Sequence, residues 1–210
     1  MPRSEPFEQF TDRYEEWFEH HEHEYDAEIE ALSRLVSNPE AGLEIGVGSA
    51  RFAEPLGFRY GVDPAGEMLD RARDRGVEVV RGVAEALPFR AGVFDAALIV
   101  TTICFVDDIP ATLAEARRVL TEDGRLVVGY IDRESPVGEL YQEMKDENPF
   151  YRHATFVSTE ELVASLEDAG FGEFEFVQTV YHPPGEVGPD EPVESGYGDG
   201  SFVGISARPV

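Results

Sequence analysis

The sequence predicts an α/β fold, a mostly parallel sheet covered by helices on both faces. Three observations carry this. Short apolar runs at residues 43–47, 58–62, 77–80, 93–100 and 126–131 alternate with segments of helical periodicity, and strands alternating with helices build parallel sheets. The run at 93–100 is apolar almost throughout, as a strand covered on both faces should be. The first run ends in a loop carrying Gly46 and Gly48, and glycine lets a backbone approach a ligand closely.

The elements follow in order. Phe7, Phe10, Tyr14, Trp17, Phe18, Tyr25, Ile29, Leu32 and Leu35 recur mostly at three- and four-residue steps. That is the period of one amphipathic helix, with polar residues on its other face and Ser37-Asn38-Pro39 as its stop. The strand at 43–47 is interrupted by Glu44. The strand at 58–62 ends at Asp63-Pro64. A helix over 67–75 stops at Gly76, and strands at 77–80 and 93–100 follow. A helix over 109–120 has Asp107 or Asp108 near its start, a turn lies at 122–124, and a strand at 126–131 comes next. Residues 158–170 read as a helix capped by Ser158 or Thr159 and stopped at Gly170. Residues 171–181 alternate like a strand, 183–192 form a loop rich in proline, glycine and acid, and 202–207 read as a last strand. The close of the chain is therefore a hairpin with a long loop. No repeat or dividing linker appears. One domain is expected over 1–210, with a cap helix (1–38), a ligand-binding core (41–131), a substrate-side insertion (132–157) and a C-terminal helix and hairpin (158–210).

Seventeen basic residues stand against 43 acidic ones, a formal net charge of −26, and the only lysine is Lys145. A surface so acidic repels itself at ordinary salt, whereas at molar salt the Debye length falls to ~3 Å and the repulsion is screened. A halophilic cytoplasmic protein is expected. The same charge argues against a nucleic-acid partner, which needs a basic footprint. The start, MPRSEPFEQF, lacks a charged-then-apolar signal pattern, and no apolar run approaches the ~20 residues of a spanning helix, so no membrane role is expected. A single cysteine, Cys104, excludes an internal disulfide and a multi-cysteine metal site.

Ligands of open α/β sheets bind at the carboxyl ends of the strands, at the topological switch, and an acid ending the second strand is placed to bind a ribose hydroxyl. Here that acid is Asp63, so the constellation suits an adenosine-containing ligand. The dinucleotide fingerprint G-x-G-x-x-G fails, because its third glycine counted from Gly46 is Arg51. A nicotinamide-dependent oxidoreductase is thereby disfavoured.

LEIGVGSARF resembles motif I of class I S-adenosylmethionine-dependent methyltransferases, E/D-x-G-x-G-x-G, with Ala50 at the third glycine. YGVDPAGEMLDRAR, VRGVAEALPF and FDAALIVTTICFVDD followed by EARRVLTEDGRLVVG resemble the next three motifs, in order and at the right spacing. The span 41–130 looks like the type 11 methyltransferases, whose members include quinone-biosynthesis enzymes. The resemblance implies a Rossmann-like, seven-stranded, mostly parallel sheet with a C-terminal antiparallel strand. It implies S-adenosyl-L-methionine as cofactor, with S-adenosyl-L-homocysteine as product. Gly46 and Gly48 of the loop would bind it, Glu44 would contact its methionine ammonium or the loop amides, Asp63 would hold both ribose hydroxyls beside Pro64, Met68 would lie near the adenine, and Ala84 and Glu85 would flank the adenine edge. Thr101 and Thr102 would sit near the sulfonium. The N-terminal helix would lid the pocket, with Tyr14 or Trp17 touching the methionine end.

Plainer readings stand beside these. A carboxylate in an apolar strand needs a partner, so Glu44 could also brace the loop, and the two roles are compatible. Tyr14, Trp17 and Phe18 could be ordinary core on a helical stripe. His20, His21 and His23 read as a solvated face, since no H-E-x-x-H occurs, and no metal site is expected. Cys104 reads as a small core hydrophobe. The acceptor pocket is expected between the N-terminal helix, residues 132–157 and the loop 181–200, with Tyr141, Phe150, Tyr151 and Phe156 as aromatic walls suited to a small organic acceptor. His153, His182 and Tyr130 are further pocket candidates, and no residue is assigned a catalytic role. The rival from another class is a non-catalytic adenosylmethionine- or nucleotide-binding module, because a ligand site does not prove turnover. The halophile reading makes a direct prediction: the melting temperature rises as KCl is raised towards molar concentrations, and a flat or falling trend would refute it.

Overall fold

The computed structural model describes residues 5–210, so the first four residues of the expected cap lie outside the described part. Where one helix was expected there are three, α1 (Glu5–Gln9), α2 (Thr11–His20) and α3 (Glu22–Ser33). The chain leaves helical geometry at Phe10 (φ −124°, ψ 35°) and His21 (φ −126°, ψ 46°), with neither proline nor glycine at the breaks. At His21 the cause is local. Its ring Nδ1 donates to the Trp17 carbonyl at 2.8 Å and the ring stacks on the Trp17 indole at 4.6 Å. A side chain that satisfies a last-turn carbonyl favours ending the helix there.

The remaining elements are β1 (Gly42–Ile45), β2 (Tyr60–Asp63), α4 (Gly66–Asp74), β3 (Glu78–Arg81), β4 (Phe94–Val100), α5 (Ile109–Val119), β5 (Leu120–Ile131), α6 (Pro136–Glu143), α7 (Thr159–Asp168), β6 (Phe171–Thr179), β7 (Glu194–Ser195) and β8 (Phe202–Pro209). They form a sheet in the order β3-β2-β1-β4-β5-β8-β6-β7. The five strands from β3 to β5 run parallel. The last strand, β8, slots antiparallel between β5 and β6, which closes the expected hairpin. The fold is Rossmann-like, with one strand more than the seven expected. The addition, β7, is a two-residue pairing with Val177 and Gln178, too short to leave an alternating pattern. Helix α6 falls within 132–157, where the sequence suggested no element. The turn at 122–124 lies inside β5: Leu120 pairs with Phe94, then the register shifts and Arg125 pairs with Ala96, as a bulge requires.

The alternation of inner strands sends side chains to two cores. Leu43, Ile45, Ala97 and Ile99 pack with Leu113 and Ala116 of α5 and Leu162 and Leu166 of α7. Leu98 and Val100 face the other way, onto Leu32 of α3 and Leu69 and Ala72 of α4. Both faces of the central strands are thus covered, which is why β4 carries no charge except Asp95 near its edge. Ser158 caps α7 in a capping box with Glu161.

Three acids of the cap do not sit on its polar face, contrary to the helical reading. Glu15, Glu24 and Glu28 are all buried. Glu15 accepts hydrogen bonds from Arg51 Nε at 2.9 Å and Arg75 Nη2 at 2.6 Å, which pins α2 onto the loop after β1 and the end of α4. The Tyr25 hydroxyl adds a hydrogen bond to the Arg51 carbonyl. Glu15→Ala leaves two guanidinium groups short of their acceptor, and hydrogen bonds to charged groups are worth ~1.5–3 kcal/mol. Denaturant titration should show an unfolding free energy lower by about 2 kcal/mol, and an unchanged midpoint would disprove the pin.

Candidate active site

The sheet reverses direction of winding at β1, from which the chain passes to β2 on one side and β4 lies on the other. The loop leaving β1 has left-handed backbone at Gly46 (φ 75°) and Gly48 (φ 48°). The two glycines do different things. A Cβ on Gly46 would meet Thr102 Cγ2 at 2.3 Å, so the space is filled by Thr102. A Cβ on Gly48 would find only the Tyr14 hydroxyl, at 3.6 Å. Gly48 therefore opens towards ligand space, whereas Gly46 is needed for packing. The Thr102 hydroxyl lies 3.2 Å from the Gly46 carbonyl and 3.0 Å from that of Val100, tying the end of β4 to the loop. Ala50, at the motif's third glycine, also has a left-handed backbone (φ 65°), a conformation that costs a non-glycine residue ~1–2 kcal/mol.

Asp63 ends β2 and accepts from the Gly48 amide at 3.0 Å and the Ala65 amide at 2.8 Å. Burial pushes its carboxyl up to about 6, against the pull of those two amides, and Glu8 adds to the rise. Glu44, in the middle of β1, is 1% exposed and its Oε2 has no hydrogen-bond partner. Burial drives its carboxyl far above the usual carboxylate range; the Ala53 amide opposes this and Asp63 reinforces it. Two acids thus stand at adjacent strands with no counter-charge beside them.

These groups open onto a cavity of about 860 Å³. All twelve residues singled out in the sequence line it: Tyr14, Trp17, Glu44, Gly46, Gly48, Asp63, Pro64, Met68, Ala84, Glu85, Thr101 and Thr102. Glu85 does more than face the cavity, because its Oε1 accepts from the Asp107 amide at 2.7 Å and so holds the segment before α5. Thr101 closes β4 with a left-handed backbone (φ 48°). The cap covers the opening through aromatic edges: Tyr14 meets Phe7 at 5.8 Å and Phe18 at 5.1 Å, and Phe7 meets Phe105 at 5.1 Å and Phe150 at 5.2 Å.

The second half of the cavity is lined by Tyr130, Tyr141, Phe150, Tyr151 and Phe156, the aromatic residues expected around an acceptor. Of the loop 181–200 only Pro183 and Pro184 reach it, and His153 and His182 do not. His182 instead meets Glu191 at 2.9 Å. Cys104 is buried against Ala154 and Phe156, as a core hydrophobe, and also borders the cavity. The helical reading missed His21 and Glu28, which both line it. A signal for Glu28 was there: it falls among Tyr25, Ile29 and Leu32, on the apolar stripe. Among the described residues no group of three or more side chains could hold a metal ion, and no helix is long and apolar enough to cross a membrane.

The donor set bears on the ligand. Asp63 and an orphaned Glu44 suit hydroxyl donors and a cation, and would repel a pyrophosphate at the same loop. Arg51 offers no relief there, since it is committed to Glu15.

Comparison with known proteins agrees. A family described as a methyltransferase domain matches residues 43–128. A Methanocaldococcus jannaschii protein described only as uncharacterized is 39% identical over 97% of this chain and 98% of its own length. A Mycobacterium tuberculosis protein, also described as uncharacterized, is 41% identical over 86% of this chain and 65% of its own. A crystal structure from Thermotoga maritima, described as a SAM-dependent methyltransferase and possible histamine N-methyltransferase, is 47% identical, covers 98% of this chain and 99% of its own, and superposes with a TM-score of 0.95. The chain belongs to the class I S-adenosylmethionine-dependent methyltransferases of type 11.

Proposed function

We propose that this chain transfers the methyl group of S-adenosylmethionine to a small organic acceptor held in the aromatic half of the same cavity. The observation that carries the reading is Glu44, a buried carboxylate with a free oxygen beside the glycine loop. Its chemistry fits the α-ammonium of the cofactor's methionine part. Asp63 takes the two ribose hydroxyls, with Pro64 beside it. Met68, Ala84 and Glu85 border the adenine. Gly46, Gly48, Thr101 and Thr102 border the methionine and sulfonium, and Tyr14 and Trp17 close over that end.

The bound cofactor supplies a methyl group already activated by its positive sulfur. What remains for the protein is alignment and exclusion of water, and proximity of this kind can supply ~7–11 kcal/mol. Once ionised, Glu44 and Asp63 favour a cationic ligand. Tyr14 is not a base at neutral pH: burial first, then Glu44, Glu15, Asp63 and Glu28, raise its phenol far above the ordinary value, so its hydroxyl remains a donor. The cavity, at about 860 Å³, lies within the ~300–1,000 Å³ of small-molecule sites, which supports a small acceptor over a macromolecule. A net charge of −26 supports the absence of a nucleic-acid partner and a salt-rich cytoplasm as the setting. Histamine, named for the Thermotoga neighbour, is a first acceptor to assay. Labelled methyl appearing in no acceptor of a broad library would favour the non-catalytic binding module instead.

Two outcomes test the site. Asp63→Ala should weaken S-adenosylhomocysteine binding at least tenfold by calorimetry, since it removes acceptors worth ~1.5–3 kcal/mol each when charged; unchanged affinity would refute the ribose assignment. The second is pH. Asp63 takes a proton as pH falls through about 6, and a protonated carboxyl is a poorer acceptor for two hydroxyls. Glu44 must ionise to pair with an ammonium. Affinity for S-adenosylhomocysteine should therefore rise from pH 5 to 7, by up to about tenfold per unit. A flat profile over this range speaks against both roles.

A further inference from the structure

Glu28 is the buried acid of the cavity that the cofactor reading leaves unused. It is 5% exposed and lines the cavity from α3. Among the described residues it makes no hydrogen bond or ion pair. The charge that acts on it comes from another acid. Glu24, one turn earlier on α3, accepts from the Gly185 amide at 2.6 Å and adds negative charge. Tyr14 of α2, Tyr141 of α6 and Tyr151 beyond α6 all feel the Glu28 charge at their phenols. His21, at the start of α3, lines the same cavity, with its Nδ1 committed to the Trp17 carbonyl. Burial, with Glu24 behind it, pushes the Glu28 carboxyl up to about 8.

Position separates Glu28 from the cofactor acids. Glu44 lies within β1, before the glycine loop, and Asp63 ends β2. Glu28 comes from the cap helix on the aromatic side, where Tyr141 and Tyr151 stack at 4.7 Å and Phe156 stands 5.8 Å from Tyr151. The Tyr14 phenol feels the charge of both sets. A buried carboxylate without a counter-charge is costly, and aromatic faces around it attract cations. The combination is an amine-binding site built before its ligand arrives.

We propose that Glu28 receives the protonated nitrogen of a small amine acceptor. This rests on the methyltransferase reading of the cavity. A protonated amine has no lone pair with which to accept a methyl group. The ionised Glu28 carboxylate takes that proton: the N–H bond breaks, an O–H bond forms on the carboxyl, and the pair stays on nitrogen as the free nucleophile. A carboxyl whose proton affinity is matched to the working pH is suited to this exchange.

The test is calorimetry on the chain loaded with S-adenosylhomocysteine, with 2-phenylethylamine, tryptamine and n-butylamine as probes. The near-isosteric 2-phenylethanol and 3-phenylpropionate serve as neutral and anionic counterparts. At least one amine should bind ten times more tightly than its alcohol or acid counterpart, and its affinity should rise from pH 6 to 8 as Glu28 ionises. Glu28→Gln should abolish both the preference and the pH dependence and leave S-adenosylhomocysteine affinity within twofold. Glu28→Asp, which keeps the charge, should retain part of the preference and guards against a variant that fails to fold. Amine affinity unchanged in Glu28→Gln, an alcohol or acid bound as tightly as the amines, or no amine bound to the loaded chain would each overturn the inference alone. Failure of S-adenosylhomocysteine itself to bind would overturn the underlying methyltransferase site and this inference with it.

Discussion

The hydrogen bond from the Gly48 amide to the Asp63 carboxylate joins the loop after β1 to the end of β2, and the cavity takes its shape from that tie. The Gly46 and Val47 amides reinforce it by donating to the Val62 carbonyl at 2.8 and 3.0 Å. On the other side Thr102 fills the space left by the missing Gly46 Cβ. Three strand ends are locked together by backbone groups, one carboxylate and one hydroxyl. The loop amides are thereby held still before any ligand binds. Such preorganisation is what makes a polar site effective, because no reorganisation remains to be done at the moment of reaction.

Above this floor the cap is attached by charge. Glu15 binds Arg51 of the loop and Arg75 after α4, and the Arg75 Nη1 also donates to the Ser49 carbonyl at 2.8 Å. One carboxylate thus couples the lid to the loop it covers. Glu8, at the far end of the cap, accepts from the Glu67 amide at 3.0 Å in the first turn of α4. The aromatic residues of α1 and α2 then close over the cavity against Phe105 and Phe150. Position of the lid and conformation of the glycine loop are two ends of one network.

The acids inside the protein differ in kind from those that give the chain its charge of −26. Surface carboxylates are hydrated and cost little. Glu28 and Glu44 are shielded from water and Asp63 is half-buried, and burial raises all three. An unneutralised buried charge opposes stability. In the proposed complex the ammonium meets Glu44, the ribose hydroxyls meet Asp63 and the acceptor nitrogen meets Glu28. Arg13 and Arg51 line the same cavity, with Arg51 already paired to Glu15.

The order of strands, the helices on both faces and the twelve cavity residues were legible because each rests on a local pattern: apolar runs, a glycine loop, and side chains at consecutive strand ends. The cap was not, and its three acids show why. Periodicity marks where a helix buries its stripe, but a glutamate on that stripe reads as an interruption until its partners are known. The guanidinium groups of Arg51 and Arg75 come from segments 36 and 60 residues away from Glu15. The break at His21 likewise depends on a ring stacking one turn back, and β7 on a strand it meets only in space. By itself, then, the sequence determined the sheet, the glycine loop and the acid at the second strand end, since these arise from neighbouring residues. Tertiary structure decided where the cap lies, that Gly46 serves Thr102 whereas Gly48 faces open cavity space, and that Glu28 stands uncompensated in the cavity. Burial and counter-charge are properties of the assembled surroundings, and no local spacing encodes them.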